Sequence, residues 1–556
     1  MSDAARPEST PTGPEPTSAR SGSTSTGPGS TSAGSEPTRR DFLRWLALGG
    51  VGVGTTGAAL LATTPDVRAG DPADTGILVL AGGTVIDATG APPRPDTSVV
   101  LIGDRIISLV QGRPAPRAAG VRVVDARGKF VVPGLWDMHA HGTVDERIFL
   151  PLHLANGVTG IREMWGYPEV EALRRRIDAG EVAGPRMRVA SPIIDEPPSI
   201  LGPPAVLVRT PSEARAAVRR AKDEGADFVK VYSYLGRDTY FALAHEARRQ
   251  RLPLAGHLPY RVSAVEASDL GQHSFEHLFG LPVAASSRER EFSQRIAQTP
   301  LTDPTAYFHL MREIEWEAAE NWSSRRAGAL FRRLVRNNTW LSPTLAVNRV
   351  VNSPAAMFAN DPRLKYIPAA YQELWAERIR IFAPTTPEQT MRQRAFFRVL
   401  RRLVGQARQA GVGIVGGTDC GNPYCFPGFS LHDELSLLVD SGLSALQALQ
   451  SVTRDAARYL GEERSMGTVA PDKVADLVLL DANPLTDIEN TRRIHAVVTR
   501  GRLITSGMRT RMLADVEAAA AEPGVLTVTT RRLACPCHPF AAPTSAPTRR
   551  MRQGGR

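Results

Sequence analysis

The chain has 556 residues, 42% of them hydrophobic and 22% charged, which is enough for a sizeable core and for two or three domains. Its net charge of +10 comes from scattered arginines and basic tails, not from a basic stripe interleaved with aromatics, and this argues against a nucleic-acid surface. Lysine occurs only at positions 129, 222, 230, 365 and 473, so a lysine inside an apolar strand stands out.

Residues 1–36 are Ser, Thr, Pro, Gly and Glu with almost nothing apolar, and disorder is expected there. Thr38-Arg39-Arg40-Asp41-Phe42-Leu43-Arg44 then precedes a Gly/Thr-rich apolar run over 45–61, which is short for a membrane span. Segment 37–69 resembles a twin-arginine export signal, with Val67-Arg68-Ala69 at the cleavage position. The expectation is a periplasmic or secreted protein whose partner in transit is the twin-arginine translocase. A signal that stays attached as an anchor is the alternative.

Short β-rich runs punctuated by Gly, Pro and Asp fill 77–133, and a matching set lies within 466–510. Together they predict one small β-sandwich built from both ends of the chain. Over 134–460, apolar strands alternate with amphipathic helices, the pattern of parallel βα units. The predicted strands are 135–139, 158–163, 186–190, 228–232, 253–257, 274–277, 340–344 and 414–418. Eight such strands predict an α/β fold of the (β/α)8 TIM barrel type. The stretch 284–400, rich in Arg, Glu and aromatics at helical spacing, is predicted as a helical insertion around strand seven, a lid or a contact surface. The tail 521–556 is Pro/Thr/Arg-rich and expected to be disordered, apart from Cys535-Pro536-Cys537-His538, to which no role is assigned.

Residues two apart on a strand share a face, so His139 and His141 project together at the end of strand one, spaced to hold a metal ion. The ends of other predicted strands carry Lys230, His257, His277 and Asp419. Each has a structural alternative: Lys230 pairing with Asp227, core-bonded His257 and His277, Asp419 as a helix cap. Their joint placement on five strand ends favours a site. His273, four residues before His277, is its rival at strand six.

The motifs Pro133-Gly134-Leu135-x-Asp137-x-His139-Ala140-His141, Val229-Lys230-Val231, Glu276-His277, Gly417-Thr418-Asp419 and Ala475-Asp476-Leu477-Val478 make the chain resemble the amidohydrolase superfamily over roughly 77–510. The resemblance is to its imidazolonepropionase/prolidase-like branch. It implies two divalent metal ions, zinc in the first instance, with His139, His141 and Asp419 on one, His257 and His277 on the other, and Lys230 bridging them as an N6-carboxylated lysine. It also implies hydrolysis of an amide, peptide or cyclic amide by a metal-bridging hydroxide, with Asp419 as catalytic proton shuttle. The implied substrate is a small molecule or dipeptide, with Arg162, Tyr232 and Tyr260 as candidate binding residues; Glu163 and Trp165 are bulkier than the family pattern at strand two. A lactonase or phosphotriesterase would use the same centre, and a silent metal-bearing barrel could serve as a binding protein. Nucleic acid is not an expected partner, and an oligomer is compatible with the sequence. In an oxidising compartment Cys420 and Cys425 could form a small-loop disulfide at the rim; the alternative is two free thiols.

Overall fold

The computed structural model describes residues 76–112, 118, 120–141 and 145–522. The segment 1–36, the expected export signal over 37–69 and the tail with Cys535, Cys537 and His538 lie outside the described residues. The described chain opens with strands β1 (Ile77–Val85), β2 (Arg94–Ile102), β3 (Arg105–Gln111), β4 (Val121–Asp125) and β5 (Phe130–Pro133). Gly134 passes the chain directly into β6 (Leu135–Ala140), followed by β7 (Val158–Glu163), β8 (Arg186–Val189), β9 (Ile194–Asp195), β10 (Val206–Leu207) and β11 (Val229–Val231). Then come β12 (Leu254–Gly256), β13 (Gln272–Glu276), β14 (Trp340–Ser342), β15 (Leu477–Leu480), β16 (Ile494–Thr499) and β17 (Arg502–Ile504).

The two ends of the chain share one eight-stranded sheet, in the order β17-β16-β15-β5-β1-β2-β3 with β4 beside β1. They meet at the antiparallel β5–β15 pair, where Val132 faces Val478. Side chains of this sheet from both ends of the chain, including Leu80, Val99, Val131, Leu479 and Val498, form one buried apolar cluster. Runs of Val, Ile and Leu suit such a half-buried pleated surface.

The parallel strands form a three-stranded sheet, β6-β7-β8, and a six-stranded one, β10-β9-β11-β12-β13-β14. β6 and β7 are buried along their whole length on both faces, and their polar residues Asp137, His139, Arg162 and Glu163 are buried with the apolar ones. Ala190 bridges Phe228 and links the two sheets at one edge. At the other edge the link is residues 414–418. Ile414 bridges Leu341 of β14, and Met138 N of β6 donates to Gly416 O at 2.9 Å. This eighth predicted strand makes strand-like contacts on both sides without a regular ladder. Its glycines are the reason: a Cβ on Gly417 would lie 2.6 Å from His139 N, and one on Gly416 would lie 2.5 Å from a Val452 methyl. The two-residue strands β9 and β10 are too short to leave a sequence signal.

The stretch 284–400 is helical around β14, with helices Glu289–Gln298, Pro304–Glu320, Ser324–Arg336, Leu345–Val351, Ala369–Phe382 and Pro387–Gln409. Two of them start in the same way. Asp303 caps Thr305 N and Ala306 N ahead of Pro304, and Thr386 caps Gln389 N ahead of Pro387. Helix Ala369–Phe382 turns Tyr371, Trp375, Arg378, Ile379 and Phe382 inward as one stripe. Trp375 Nε1 donates to Gly421 O at 3.1 Å, which fastens this helix to the loop after Asp419. Among the described residues no helix is long and apolar enough to cross a membrane.

Gly134 is the hinge between the composite sheet and the parallel strands. Its N donates to Asp476 O at 2.8 Å, and a Cβ there would sit 2.1 Å from Thr159 Oγ1. Gly134→Ala is expected to cost about 1–3 kcal/mol of stability by overpacking. A thermal melt checks this, and adding Thr159→Ala should restore most of the lost melting temperature.

Candidate metal centre

His139 lies in β6 and His141 just after it, Lys230 lies in β11, and His257 and His277 directly follow β12 and β13. Asp419 N donates to His139 O at 2.7 Å, so the segment that carries Asp419 is held against β6. All six side chains are at most 3% exposed. They sit at the carboxyl ends of parallel strands, where α/β folds place their ligands.

Asp419 Oδ1 lies 3.4 Å from His139 Nε2 and 3.3 Å from His141 Nε2, and Oδ2 lies 3.8 Å from His277 Nδ1. One donor atom from each of His139, His141 and Asp419 falls within 4.8 Å of the others. The His277 ring is 4.5 Å from that of His139 and 4.9 Å from that of His257. Burial, and then the charge of Lys230, push His139 down to about 4; burial also lowers His141. Both rings are therefore neutral at pH 7, the form that binds a metal.

His139 Nε2 has no hydrogen-bond partner, nor has the buried Lys230 Nζ. A buried amine without a partner is costly. Burial pulls Lys230 down to about 8 although Glu276 and Asp419 favour its charge, so its neutral form is within reach. Four imidazoles, a carboxylate and a lysine of this kind fit divalent metal ions.

The support beneath the ligands is a buried charge network. His139 Nδ1 pairs with Glu276 Oε2 at 2.7 Å, and Arg162 donates to both Glu276 oxygens at 2.8 and 2.9 Å. Arg162 also donates to Tyr459 Oη at 2.6 Å, Ser274 Oγ at 3.1 Å and Met138 O at 2.6 Å. Burial alone would raise the Glu276 carboxyl, but Arg162, then His139, bring it well below the usual carboxylate range. His257 Nδ1 meets Ser233 Oγ, and His277 Nδ1 meets Thr344 Oγ1, each at 2.7 Å. Such partners fix ring orientation and direct the other nitrogen to ligand duty. Asp137, pushed up to about 7 by burial, accepts from Thr418 N at 3.0 Å and Thr418 Oγ1 at 2.6 Å, which pins the residue before Asp419.

Among the expected substrate contacts, Tyr232 lies at the centre, stacked on His257 at 4.2 Å, and Tyr260 lines a cavity shared with His277. The expectation for Arg162 is corrected: it is fully enclosed, and its donors are spent on Glu276, Ser274, Tyr459 and Met138. His273 stacks on Tyr459 at 4.3 Å, away from the ligand rings. Cys420 and Cys425 are buried free thiols, so the rim disulfide is not formed; Cys420 Sγ faces His153 Nε2 at 3.9 Å. Two residues escaped the sequence reading. Glu276 passed only as context for His277. Arg378, 1% exposed, comes from the insertion helix Ala369–Phe382, and its charge acts on His141, Tyr232 and Asp419. The available signal was an arginine on the apolar face of a predicted helix, three residues after Trp375.

Glu276→Gln strands the Arg162 charge and is expected to cost about 3–5 kcal/mol at pH 7. The sign follows from the depressed carboxyl. Its contribution is complete above the ordinary glutamate value near 4.5 and is lost as pH falls below it. Denaturant unfolding of metal-free wild type and variant should therefore show a constant gap from pH 7 to about 5 and converge only as pH falls further below 4.5.

The sequence matches the model of the amidohydrolase family over residues 130–504. It is 43% identical over 77 residues to adenine deaminase 2 of Rhizobium meliloti (strain 1021), which is 14% of this chain and 12% of that protein. It is 38% identical over 68 residues to a 5-methylthioadenosine/S-adenosylhomocysteine deaminase of Symbiobacterium thermophilum, 12% of this chain and 16% of that one. The fold is similar to that of bottromycin amidohydrolase, with TM-score 0.63 at 23% identity over 86% of this chain and 96% of that one. It is also similar to a Xaa-Pro dipeptidase with bound methionine in the active site, with TM-score 0.55 at 20% identity over 77% of this chain and 100% of that one. With a family match that runs from β5 to β17 and takes in all six candidate ligand residues, the chain belongs to the amidohydrolase family.

Proposed function

We propose that this protein is an exported, binuclear metal-dependent hydrolase that cleaves the amide or peptide bond of a small carboxylate-bearing substrate, such as a dipeptide or an N-acyl amino acid. In this reading the linked parallel sheets are a closed (β/α)8 barrel, the composite sheet is its small β-sandwich, and residues 37–69 are the export signal. The observation that carries the reading is the convergence of His139, His141, His277 and Asp419 within a few ångströms, with Lys230 buried beside them. The solved relatives named as an amidohydrolase and a dipeptidase support the bond type.

His139, His141 and Asp419 would hold one ion, His257 and His277 the other, and Lys230, as its carbamate, would bridge them. Such ions supply Lewis acidity to a carbonyl and acidify a water to near neutral pH. Asp419 accepts a proton on a carboxylate oxygen and hands it to the leaving nitrogen. Its place on the site side of the strand ends is set by a left-handed backbone (φ 60°) and by the Asp137–Thr418 clamp. Arg378 and Tyr232 receive the substrate carboxylate. The guanidinium stays charged although burial pushes it down to about 10.

Full-length protein supplied with zinc and bicarbonate is expected to carry about two ions per chain by elemental analysis, and Lys230→Ala to lose most of them. Less than one ion per chain in the wild type sinks the binuclear reading. Asp419→Asn should lower kcat for dipeptide hydrolysis by about 10²–10⁴-fold.

Arg378→Met separates recognition from chemistry. KM for a free-carboxylate dipeptide should rise about 10–100-fold, the loss of a charge-assisted pair, while that for its C-terminal amide stays near wild type.

A further inference from the structure

We propose that the substrate of this enzyme carries an apolar group of aromatic size, seated in a cavity beside His277 beneath the insertion helices. This rests on the hydrolase reading above and adds a substrate class to it. The cavity is walled by Tyr260, Phe279, Phe308, Trp316, Val351 and Phe396, and it reaches His277 itself. Phe279 lies 5.3 Å from the His277 ring and 5.1 Å from that of His257, so an occupant lies directly beside the reacting centre. Phe308 and Phe382 meet edge to face at 5.6 Å, which joins helix Pro304–Glu320 to helix Ala369–Phe382 over the site.

Most of the polar groups on the cavity wall bond to the protein. Asn352 Nδ2 donates to Asn348 O at 2.8 Å, while its buried Oδ1 has no partner among the described residues. Asn348 Nδ2 donates to Pro343 O at 3.0 Å and to His277 O and Thr344 O at 3.3 Å. Glu315 accepts from Gly280 N. The Arg312 guanidinium lies 5.4 Å from both the Trp316 and the Phe382 rings. Apart from the Asn352 amide oxygen and the Arg312 guanidinium, the wall offers an occupant mainly apolar and aromatic surface, the usual lining of a small-molecule subsite with a few polar groups. A second cleft on the far side of Tyr260 and Glu315 is bordered by Arg261, Glu266 and Glu289 and reaches none of the six ligand side chains.

The test uses acetylglycine, phenylacetylglycine and naphthylacetylglycine, which share a carboxylate and differ only in the acyl group. Binding is measured by calorimetry on zinc-loaded Asp419→Asn protein, where turnover is suppressed. Phenylacetylglycine is expected to bind at least about tenfold more tightly than acetylglycine, the discrimination an apolar pocket supplies. Val351→Trp, which fills the cavity, should abolish that preference. Phe396→Ala, which enlarges it, should shift the preference to naphthylacetylglycine, a gain that misfolding cannot produce. Equal affinity for the acetyl and phenylacetyl probes, or a phenyl preference that survives Val351→Trp, overturns the assignment. Glycine release by the Asp419-containing enzyme is scored separately. Its absence alongside an intact, cavity-dependent binding preference refutes the hydrolase reading and supports the subsite.

Discussion

One buried carboxylate, Glu276, connects the inside of the parallel sheets to the surface that carries the histidines. It takes both prongs of Arg162 from β7, the Nδ1 side of His139 from β6, and Ser274 Oγ from its own strand. Each partner is fully buried, so the charges are balanced without help from water. In such surroundings a pair contributes little relative to an apolar core, but removal of one member leaves a stranded charge. Glu276 thus serves two ends at once. It neutralises Arg162, which holds Tyr459 and Met138 O in place, and it sets the orientation of the first candidate metal ligand. The rest of the site depends on this arrangement because His139 O in turn receives the backbone of Thr418 and Asp419.

Two of the proposed ligands sit on strained backbone. His277 and Asp419 both adopt left-handed backbone, at φ 62° and 60°, a conformation that costs a side-chain-bearing residue free energy and persists only under constraint. The constraint at Asp419 is the Asp137–Thr418 pair, and at His277 it is the Asn348 amide on its carbonyl. Two strands therefore end in an abrupt turn that aims a donor across the strand ends. The insertion helices complete the surroundings. Trp375 ties helix Ala369–Phe382 to Gly421, two residues past Asp419, and the same helix carries Arg378 inward.

Several features were legible in the chain because they are written locally. Strand 158–163 matches β7 because β-branched Val158, Thr159 and Ile161 lie in a short run that follows the turn at Gly157. The helical character of 284–400 follows from its periodicity, and the rarity of lysine singled out Lys230. Arg162 was misassigned for a physical reason. Position along a strand does not reveal whether a side chain points to the open end or inward, and only the presence of Glu276 from another strand, 114 residues away, decides it. The cysteine pair failed similarly, since spacing permits a bridge while the packing of Cys420 against His153 directs the sulfur elsewhere.

The sequence by itself therefore determined the kind of elements, their order, the family motifs and which candidate ligand side chains lie at strand ends. Those depend on side-chain chemistry and on periodicities of two and 3.6 residues, both of which are local properties. Tertiary structure alone decided which groups neutralise one another, that Arg162 supports His139 from within, that Arg378 arrives from an inserted helix, and that an aromatic cavity adjoins His277. Each of these joins residues from elements far apart in the chain, and such contacts are set by packing that no single segment encodes.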